Sequence, residues 1–491
     1  MTYIAKCFDS MWYHETMNDL WDAGVKTDKF ALISKMNQSC NIAVKTPVGI
    51  TERFHLEEIE MQGTKLSNIK CAVQIDTLGK ECYTYNEGMF LYKECVTVPP
   101  LEMIDDLASF SECGPETIKV NALINAKIES KKLEFGPKKC FQLHIGSSGV
   151  DCVNQKVHTD DINVADYETY LGDIVCSTGS NDKNIANRYN KGVGAISQMD
   201  TMLSRTSLGH YYFEIGLVMR DTMLVSKLVY NSEVWYNVSD EQLSKLELID
   251  EMWYRKLFNL PKSSPKEGMY IESGKMPIRF IVMMRRLMYY WHVLHKDEDE
   301  LLHRFMSAQQ IWTGRTDWIT QVRKNMTDIE LNLTDEQISK MSSDEYKRQI
   351  KSKIQIFAIN YIKKLQHSHS KTRELVLDGF SPAKYLVSPF LSKEQVQLLY
   401  KLRNYMTDVK QNFGSIHREN MWCRTCFLFS ESQQHLLKCS AITERLKNSV
   451  DFSVLRYSML FGKPEEQVDI TRVFSLIFRT REEILEERKS P

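Results

Sequence analysis

The sequence predicts the α+β fold class, with a mixed N-terminal part followed by a mostly α-helical part and a small zinc knuckle. Short β-branched runs bounded by proline and glycine alternate with helical stretches up to residue 178. From residue 180 onward, apolar residues recur mainly at helical spacing. Near the C-terminus, cysteine and histidine residues cluster at spacings typical of zinc sites.

Composition and charge limit the functional classes. Of the 491 residues, 43% are hydrophobic and 26% are charged, as in ordinary globular proteins of two to four domains. The formal net charge of −1 argues against nonspecific nucleic-acid binding by the whole surface, although it allows a local basic groove. Neither a signal peptide nor a membrane-spanning segment is indicated, so no membrane partner is expected. Nine of the 12 cysteines are irregularly spaced between Cys7 and Cys176, which favours reduced thiols and a cytoplasmic or nuclear location.

The N-terminal part contains predicted strands and helices in alternation. Strands are expected in AVKTPVG, ECVTVPP and KCFQLHIG, at residues 43–49, 94–100 and 139–146. Helices are expected over residues 10–37 and 114–132.

Two adjacent aspartates, Asp105 and Asp106, interrupt the apolar run VTVPPLEMIDDLASF at residues 96–110. Adjacent carboxylates repel each other, and burying either one without a partner is unfavourable. A hard cation offsets both effects, and Mg²⁺ prefers carboxylate and phosphate oxygens. The pair therefore indicates magnesium-dependent phosphoryl or nucleotidyl transfer, and the alternative is a solvated turn after Pro99 and Pro100.

Five separated blocks of the chain point to one family. They are VKTPVGITERF at 44–54, MQGTKLSNIKCAVQID at 61–76, EMIDDL at 102–107, KKCFQLHIG at 138–146 and YETYLGD at 167–173. In this order and at these intervals they resemble the palm of a reverse transcriptase from a non-LTR (LINE-type) retrotransposon. The resemblance implies a partial palm over residues 1–178 without the fingers, in an element copy truncated at its 5′ end or in a piece of a larger protein.

The resemblance implies a role for the residues of each block. Asp105 and Asp106 match the catalytic, Mg²⁺-binding motif at the tip of a hairpin, and Lys139 matches the lysine that protonates the leaving pyrophosphate. The substrate-binding positions would be the template- and nucleotide-contacting pair and the turn that grips the primer end: Gln62, Gly63, Tyr170, Leu171 and Gly172.

One position departs from the family pattern. The first palm motif of the family has an aspartate, two residues, a lysine, one residue and then Phe-Asp, and this chain begins MTYIAKCFDSMW. Lys6, Phe8 and Asp9 match, which puts Tyr3 where the first catalytic aspartate belongs. A phenol with a pKa near ~10 is a poor Mg²⁺ ligand at neutral pH. Polymerase activity is therefore expected to be weak or lost.

The helical part is predicted to begin with a thumb at 179–300, which would grip the minor groove of the primer–template duplex, and to continue as a connector at 301–410. The thumb rests on the resemblance of YIESGKMPIRF at 270–280 to a segment of the same family. Three capping boxes mark helix starts: Ser239 with Gln242, Thr334 with Gln337, and Ser392 with Gln395. Eight lysines and arginines in the acid-free stretch 347–373 indicate either nucleic-acid contact or a solvated helix face.

The segment CRTCFLFSESQQHLLKC at 423–439 predicts a zinc knuckle within residues 411–445, with Cys423, Cys426, His435 and Cys439 as ligands. The last two are expected on one face of a helix, with Leu436 and Leu437 turned inward. Four protein ligands fill the zinc shell and imply a structural metal, and the alternative is three reduced thiols with a surface histidine. Residues 446–491 are expected to form a charged helical tail with a fraying end.

Two functional classes follow. The first is a reverse-transcriptase-like protein whose RNA-directed DNA synthesis is impaired, acting if active on an RNA template, a DNA primer and deoxynucleotides. The second is a nonenzymatic nucleic-acid-binding or scaffold protein derived from a retroelement. An unrelated helical protein with a zinc knuckle would leave the five ordered blocks unexplained.

Overall fold

The structure, a computed structural model, describes most of the chain: residues 2–4, 7–38, 41–55, 65–85, 90–92, 96–98, 100–103, 106–110, 114–145, 156–157, 160–311, 317–368, 371–413, 416 and 420–489. The chain divides into two compact units. The N-terminal unit comprises Met1–Asn184 and Lys296–Gly314, and the helical unit comprises Ile185–His295 and Arg315–Pro491.

The helices, numbered along the chain, are α1 (Cys7–Ser10), α2 (Tyr13–Asp22), α3 (Thr27–Gln38), α4 (Lys65–Tyr85), α5 (Gly114–Ser130), α6 (Asp182–Arg205), α7 (Tyr212–Met219), α8 (Ser226–Leu228), α9 (Asp240–Phe258), α10 (Lys266–Ser273), α11 (Ile278–Leu294), α12 (Leu301–Ile311), α13 (Trp318–Asp328), α14 (Asp335–Ser339), α15 (Ser343–His367), α16 (Lys393–Arg403), α17 (Gln433–Leu436), α18 (Ser440–Leu446) and α19 (Pro464–Glu487). A π-helical segment, Arg220–Val225, joins α7 to α8.

The strands are β1 (Thr2–Tyr3), β2 (Asn41–Ile42), β3 (Lys45–Thr46), β4 (Gly49–Ile50), β5 (Phe54–His55), β6 (Phe90–Tyr92), β7 (Val96–Val98), β8 (Leu101–Met103), β9 (Asp106–Ala108), β10 (Phe141–Leu143), β11 (Lys156–Val157), β12 (Asp160–Asp161), β13 (Asn163–Ala165), β14 (Tyr167–Tyr170) and β15 (Asp173–Cys176).

The N-terminal unit contains a three-stranded antiparallel sheet in the order β1, β9, β8. Other strands pair in twos, including the parallel pair β10–β13 and the hairpin β14–β15. Helix α4 contacts β8 and also packs against α2 and α5. Apolar residues four apart on α5 and Leu107 of β9 share the core of this unit, whose buried members are Ile4, Cys7, Met11, Cys71, Ile75, Leu107, Val120, Ile124, Ile128, Leu133, Phe135, Cys140 and Ile162.

The helical unit is built around α11, which packs against α9, α13 and α15. Helix α15 shows why these sequences form packed helices, since its buried residues recur every four positions: Tyr346, Ile350, Ile354, Ala358 and Ile362. Toward the C-terminus, α19 packs against α16 and α18. Residues of the regions predicted as thumb, connector, knuckle and tail all contribute to the core cluster of this unit.

All three predicted capping boxes are confirmed. The Ser239 hydroxyl accepts a hydrogen bond from the Gln242 amide at 3.1 Å, and the Gln242 side chain accepts one from the Ser239 amide at 3.0 Å. The boxes at the starts of α14 and α16 have the same reciprocal pattern. Each box satisfies two amides that the first turn of a helix leaves without intrahelical partners.

The predicted α+β class is confirmed, and one local prediction needs correction. Residues 43–49 do not form one strand, because β3 turns at Pro47 and Val48 and pairs with β4. The predicted helical tail contains α19, which continues to Glu487 and buries one side, including Arg481 and Ile484. The assignments of a palm and a thumb stay predictions.

Candidate functional sites

The sheet of the N-terminal unit brings the start of the chain beside the acidic doublet. Tyr3 lies directly opposite Asp106 in the antiparallel pair β1–β9, and Asp106 also pairs with Met103 across the β8–β9 hairpin. Leu107 and Ala108 are buried, whereas Asp106 is partly exposed. Asp106 is therefore the partly exposed first residue of β9, and the two residues that follow it in the strand are buried in the core.

The turn that carries Lys139 lies against strand β1. The 3₁₀ segment Pro137–Lys139 contacts β1, and Ile4 forms an antiparallel bridge with Phe135 just before that segment. The Lys139 amide donates to the Gly136 carbonyl oxygen at 2.8 Å, and the Lys139 side chain is exposed. Three distant parts of the sequence thus meet at β1.

The predicted primer-gripping turn is the tip of the β14–β15 hairpin. Tyr170 pairs with Asp173, and the two residues between them, Leu171 and Gly172, have φ values of 47° and 83°. Positive φ at both central positions defines a type I′ turn, which matches the twist of the flanking strands. Burial and the negative charge of Asp106 raise the pKa of the Tyr170 phenol, so Tyr170 lies within electrostatic range of Asp106.

Three predicted site residues, Asp105, Gln62 and Gly63, lie outside the described residues. Among the described residues, the group of three or more side chains able to hold a metal is the cysteine and histidine cluster of the helical unit. Magnesium binding by Asp105 and Asp106 therefore stays a prediction.

The four predicted zinc ligands come together in the helical unit, with their ligand atoms within 4.8 Å of one another. The Sγ atoms of Cys423 and Cys439 are 3.9 Å apart, and Cys426 Sγ is 3.3 Å from His435 Nε2. In a tetrahedral zinc site, two sulfur ligands lie ~3.8 Å apart and a sulfur and a nitrogen ligand ~3.6 Å apart. The cluster therefore has the donor set and the spacing of a site that could hold a zinc ion, and its histidine is partly buried rather than a surface residue.

A tight hairpin presents the first two cysteines. The amides of Cys423 and Glu431 donate to the carbonyl oxygens of Phe429 and Met421, at 2.7 and 2.8 Å. At the turn, Phe427 adopts φ 59°, and the Leu428 amide donates to Cys426 Sγ at 3.5 Å. An amide that points at a cysteine sulfur stabilises the thiolate form, which is the form that binds a metal.

The second pair of ligands differs from the sequence prediction. His435 lies in α17, whose N-cap is Ser432, whereas Cys439 is the extended N-cap residue of α18. The two residues therefore do not share a helix, because the chain turns at Leu437 and Lys438 between them. Leu436 and Leu437 are buried, as predicted.

Hydrogen bonds link the thiols to one another. The Thr425 hydroxyl lies 3.0 Å from Cys423 Sγ and 3.2 Å from Cys439 Sγ. The hydrogen bond with Cys439 lowers the pKa of Cys423, and the same bond, together with burial, raises the pKa of Cys439. The direction of these shifts makes Cys423 the more acidic thiol of the two.

Charged residues that the sequence analysis missed join this cluster to α19. Glu431, which is fully buried, accepts hydrogen bonds from Arg424 and Arg481. Arg488 donates to the carbonyl oxygens of Arg424 and Thr425 at 3.0 and 2.7 Å. Since Arg481 and Arg488 lie about 50 positions or more beyond the hairpin, no local spacing could have indicated these contacts.

Two exposed surfaces of the helical unit bear on nucleic-acid binding. The tip of the cysteine hairpin exposes large apolar side chains to between 55% and 63%: Trp422, Phe427, Leu428 and Phe429. On α15 the predicted basic stretch is exposed at Lys347, Arg348, Lys351, Lys353, Lys363 and Lys364. Whether that helix contacts a nucleic acid stays a prediction.

Comparison of the sequence with family models and with curated proteins gives no match. No protein-family model matches the sequence, and no curated protein matches it at a significant level. In the described part of the chain, no helix combines the length and apolarity needed to cross a bilayer.

Proposed function

We propose that this chain is a reverse-transcriptase-like protein of non-LTR retroelement origin that binds nucleic acid and whose polymerase chemistry is impaired at Tyr3. The observation that carries the proposal is the pairing of β1 with β9, in which Tyr3 lies opposite Asp106. A palm-derived sheet requires that juxtaposition of the segment expected to carry the first catalytic aspartate with the segment of the acidic doublet, and residues separated by about a hundred positions have no local reason to pair.

Two further contacts support the proposal. The segment that carries Lys139 lies against β1, and the negative charge of Asp106 contributes to the raised pKa of Tyr170. The segments that carry Asp106 and Lys139 therefore both lie against β1, and the hairpin that carries Tyr170 is within range of the charge of Asp106. An unrelated fold has no reason to bring these distant segments of the sequence together.

The chemistry follows from the roles of these residues. Asp105 and Asp106 would hold Mg²⁺, which neutralises the charge that develops on the phosphates during nucleotidyl transfer. Lys139 would donate a proton to the leaving pyrophosphate, and the turn at Tyr170 would position the primer end. At position 3 a neutral phenol takes the place of a carboxylate, so one oxygen ligand and one negative charge are missing from the site.

Zinc completes the proposal as a structural metal. Cys423, Cys426, His435 and Cys439 would fill all four coordination positions, which leaves no position for a reacting water. When bound, the metal would tie the exposed hairpin tip to α17 and α18.

Primer extension on an RNA template, with Mg²⁺ and with Mn²⁺, tests the polymerase part. We expect the native chain to extend no more than Asp105→Ala does, and Tyr3→Asp to extend more than either. Extension by the native chain that Asp105→Ala abolishes would reject the impairment. Equal inactivity of Tyr3→Asp would reject the assignment of position 3.

A nonenzymatic nucleic-acid-binding role is the second candidate, and the exposed hairpin tip favours it. Aromatic side chains held beside a cationic group stack on unpaired bases, and Arg488 lies 5.0 Å from the Phe427 ring. We expect Phe427→Ala to weaken binding of single-stranded RNA, measured by fluorescence anisotropy, about tenfold. The control is Phe390→Ala, which removes a ring exposed to 64%, close to the 62% of Phe427, from elsewhere in the unit. Equal affinity of the two variants would remove this surface from the proposal.

A further inference from the structure

Arg286 is a buried cation without a carboxylate partner. Only 4% of the residue is exposed, and its guanidinium donates to two neutral acceptors, the Asn325 side-chain oxygen at 2.8 Å and the Trp235 carbonyl oxygen at 2.9 Å. Among the described residues no carboxylate lies within ion-pair distance of Arg286, and its Nε has no hydrogen-bond partner. An uncompensated buried charge is unfavourable, so its presence requires a reason.

Two other buried arginines of the same unit are each paired with a carboxylate. Arg220 is 1% exposed and forms a two-bond ion pair with Asp250, at 2.8 and 2.6 Å. Arg481 is 3% exposed and reaches Glu431 at 3.1 Å. Arg286 differs from both, and burial lowers its pKa to about 10 because no anion offsets the loss of hydration.

Arg286 lines a cavity of about 580 Å³ between the start of α9 and helices α11, α13 and α15. This volume lies within the range of roughly 300–1,000 Å³ that small-molecule sites occupy. One wall is aromatic: Phe280 lies edge-on to Phe357 and Tyr361, with ring centroids 5.8 and 5.4 Å apart. The cavity thus combines an aromatic wall with a buried cation.

Carboxylates on the same cavity limit the charge of a ligand. Asp240, Asp317 and Asp328 also line it. Asp240 pairs with Arg279 at 3.3 Å, and Asp317 caps α13 by accepting from the Thr320 amide at 2.8 Å. The three carboxylates are matched by three cations of the same lining, Arg279, Arg286 and Lys324, so the cavity carries no net positive charge and fits a ligand with one negative charge better than one with several.

We propose that this cavity binds a small organic monoanion, a carboxylate on a ring-sized apolar body, with Arg286 as its counter-ion. The carboxylate supplies the acceptor that Arg286 lacks, in a low-dielectric setting where an ion pair is strong. The apolar body packs against the aromatic wall. This site goes beyond the proposed function, and its test does not depend on polymerase activity or on zinc.

Isothermal titration of the full chain with benzoate, near neutral pH, tests the proposal. We expect saturable binding by the native protein and at least about tenfold weaker binding by Arg286→Met, the usual consequence of losing a charged hydrogen bond. The matched control is Arg285→Met at the adjacent position, where the side chain is 42% exposed and pairs with Glu233, and its affinity should equal the native one. Equal affinity of Arg286→Met and native protein, or no saturable binding by the native protein, would overturn the proposal.

Two further ligands separate the effect of ligand charge from that of ligand shape, and a second variant serves if Arg286→Met does not fold. Benzamide, which has the same ring without the charge, should bind at least about tenfold more weakly than benzoate. Tighter binding of phenyl phosphate than of benzoate would contradict the preference for a single charge. If Arg286→Met does not fold, Leu243→Trp fills the cavity and leaves Arg286 intact. Unchanged benzoate affinity in that variant would locate the binding elsewhere and refute the site.

Discussion

Tyr3 and Asp106 lie directly opposite each other in the antiparallel pair of β1 and β9. Directly opposed positions in such a pair belong to the same face of the sheet. Residue 3 would therefore be a neighbour, on the same face of the sheet, of any metal ion that the acidic doublet bound. A substitution at residue 3 is thus a direct test of whether this sheet binds a metal.

Tyr3→Asp should create a stronger divalent metal site. A third carboxylate on the same face adds one charged oxygen ligand, and we expect Mn²⁺ to bind at least about tenfold more tightly than to the native chain. Electron paramagnetic resonance of free Mn²⁺ measures this directly. Tyr3→Asn is the control, because it removes the phenol without adding a charge. Equal Mn²⁺ affinity in the aspartate and asparagine variants would argue against a metal at this sheet.

Cys426→Ser should lower the zinc content of the purified protein by about one equivalent, because a hydroxyl is a much weaker zinc ligand than a thiolate. Elemental analysis by mass spectrometry gives the stoichiometry. Cys176→Ser, which changes a buried cysteine of the N-terminal unit, should leave the zinc content unchanged. An unchanged value for Cys426→Ser would count against the four-ligand site.

Glu431→Gln should destabilise the helical unit by about 3 kcal/mol or more, because it leaves two arginines beside a neutral group in a buried setting. Asp408→Asn is a matched control, since Asp408 contacts the same two arginines, Arg424 and Arg481, from a side chain that is 65% exposed. We expect that change to lower the free energy of unfolding by less than about 1 kcal/mol. Chemical denaturation of the two variants compares them, and similar losses would contradict the importance of burial.

Gly274→Ala should be strongly destabilising. Gly274 ends α10 at φ 64°, and a Cβ there would lie 2.0 Å from the backbone carbon of Ser381. Two effects act at Gly274, the left-handed backbone conformation and the steric clash. Gly209→Ala measures the first alone, since Gly209 has φ 53° but no atom of the described residues lies within 4 Å of the point that its Cβ would occupy. We expect the free energy of unfolding to fall by about 1–2 kcal/mol in Gly209→Ala, from the left-handed conformation alone, and by several kcal/mol more in Gly274→Ala. Equal thermal shifts in the two variants would mean that Ser381 moves aside.

Local patterns of the sequence predicted several features correctly. The capping boxes at Ser239, Thr334 and Ser392 depend on a side chain and an amide three positions apart, which a sequence displays directly. The cysteine and histidine cluster was equally visible, because all four of its residues lie within 17 positions. The pairing of His435 and Cys439 on one helix was wrong, since the spacing of four fits both a helix and a turn between two helices.

By itself, the sequence determined that an N-terminal part with strands and helices is followed by a mostly helical part. It also determined the starts of three helices and the four residues of the cysteine and histidine cluster. Each of these features is set by residues near one another in the chain. Tertiary structure alone decided which distant residues meet. It set Glu431 between Arg424 and Arg481, and it left Arg286 without a carboxylate on a cavity wall. The physical reason is that the energy of a buried charge depends on every group packed around it, and those groups come from helices far apart in sequence.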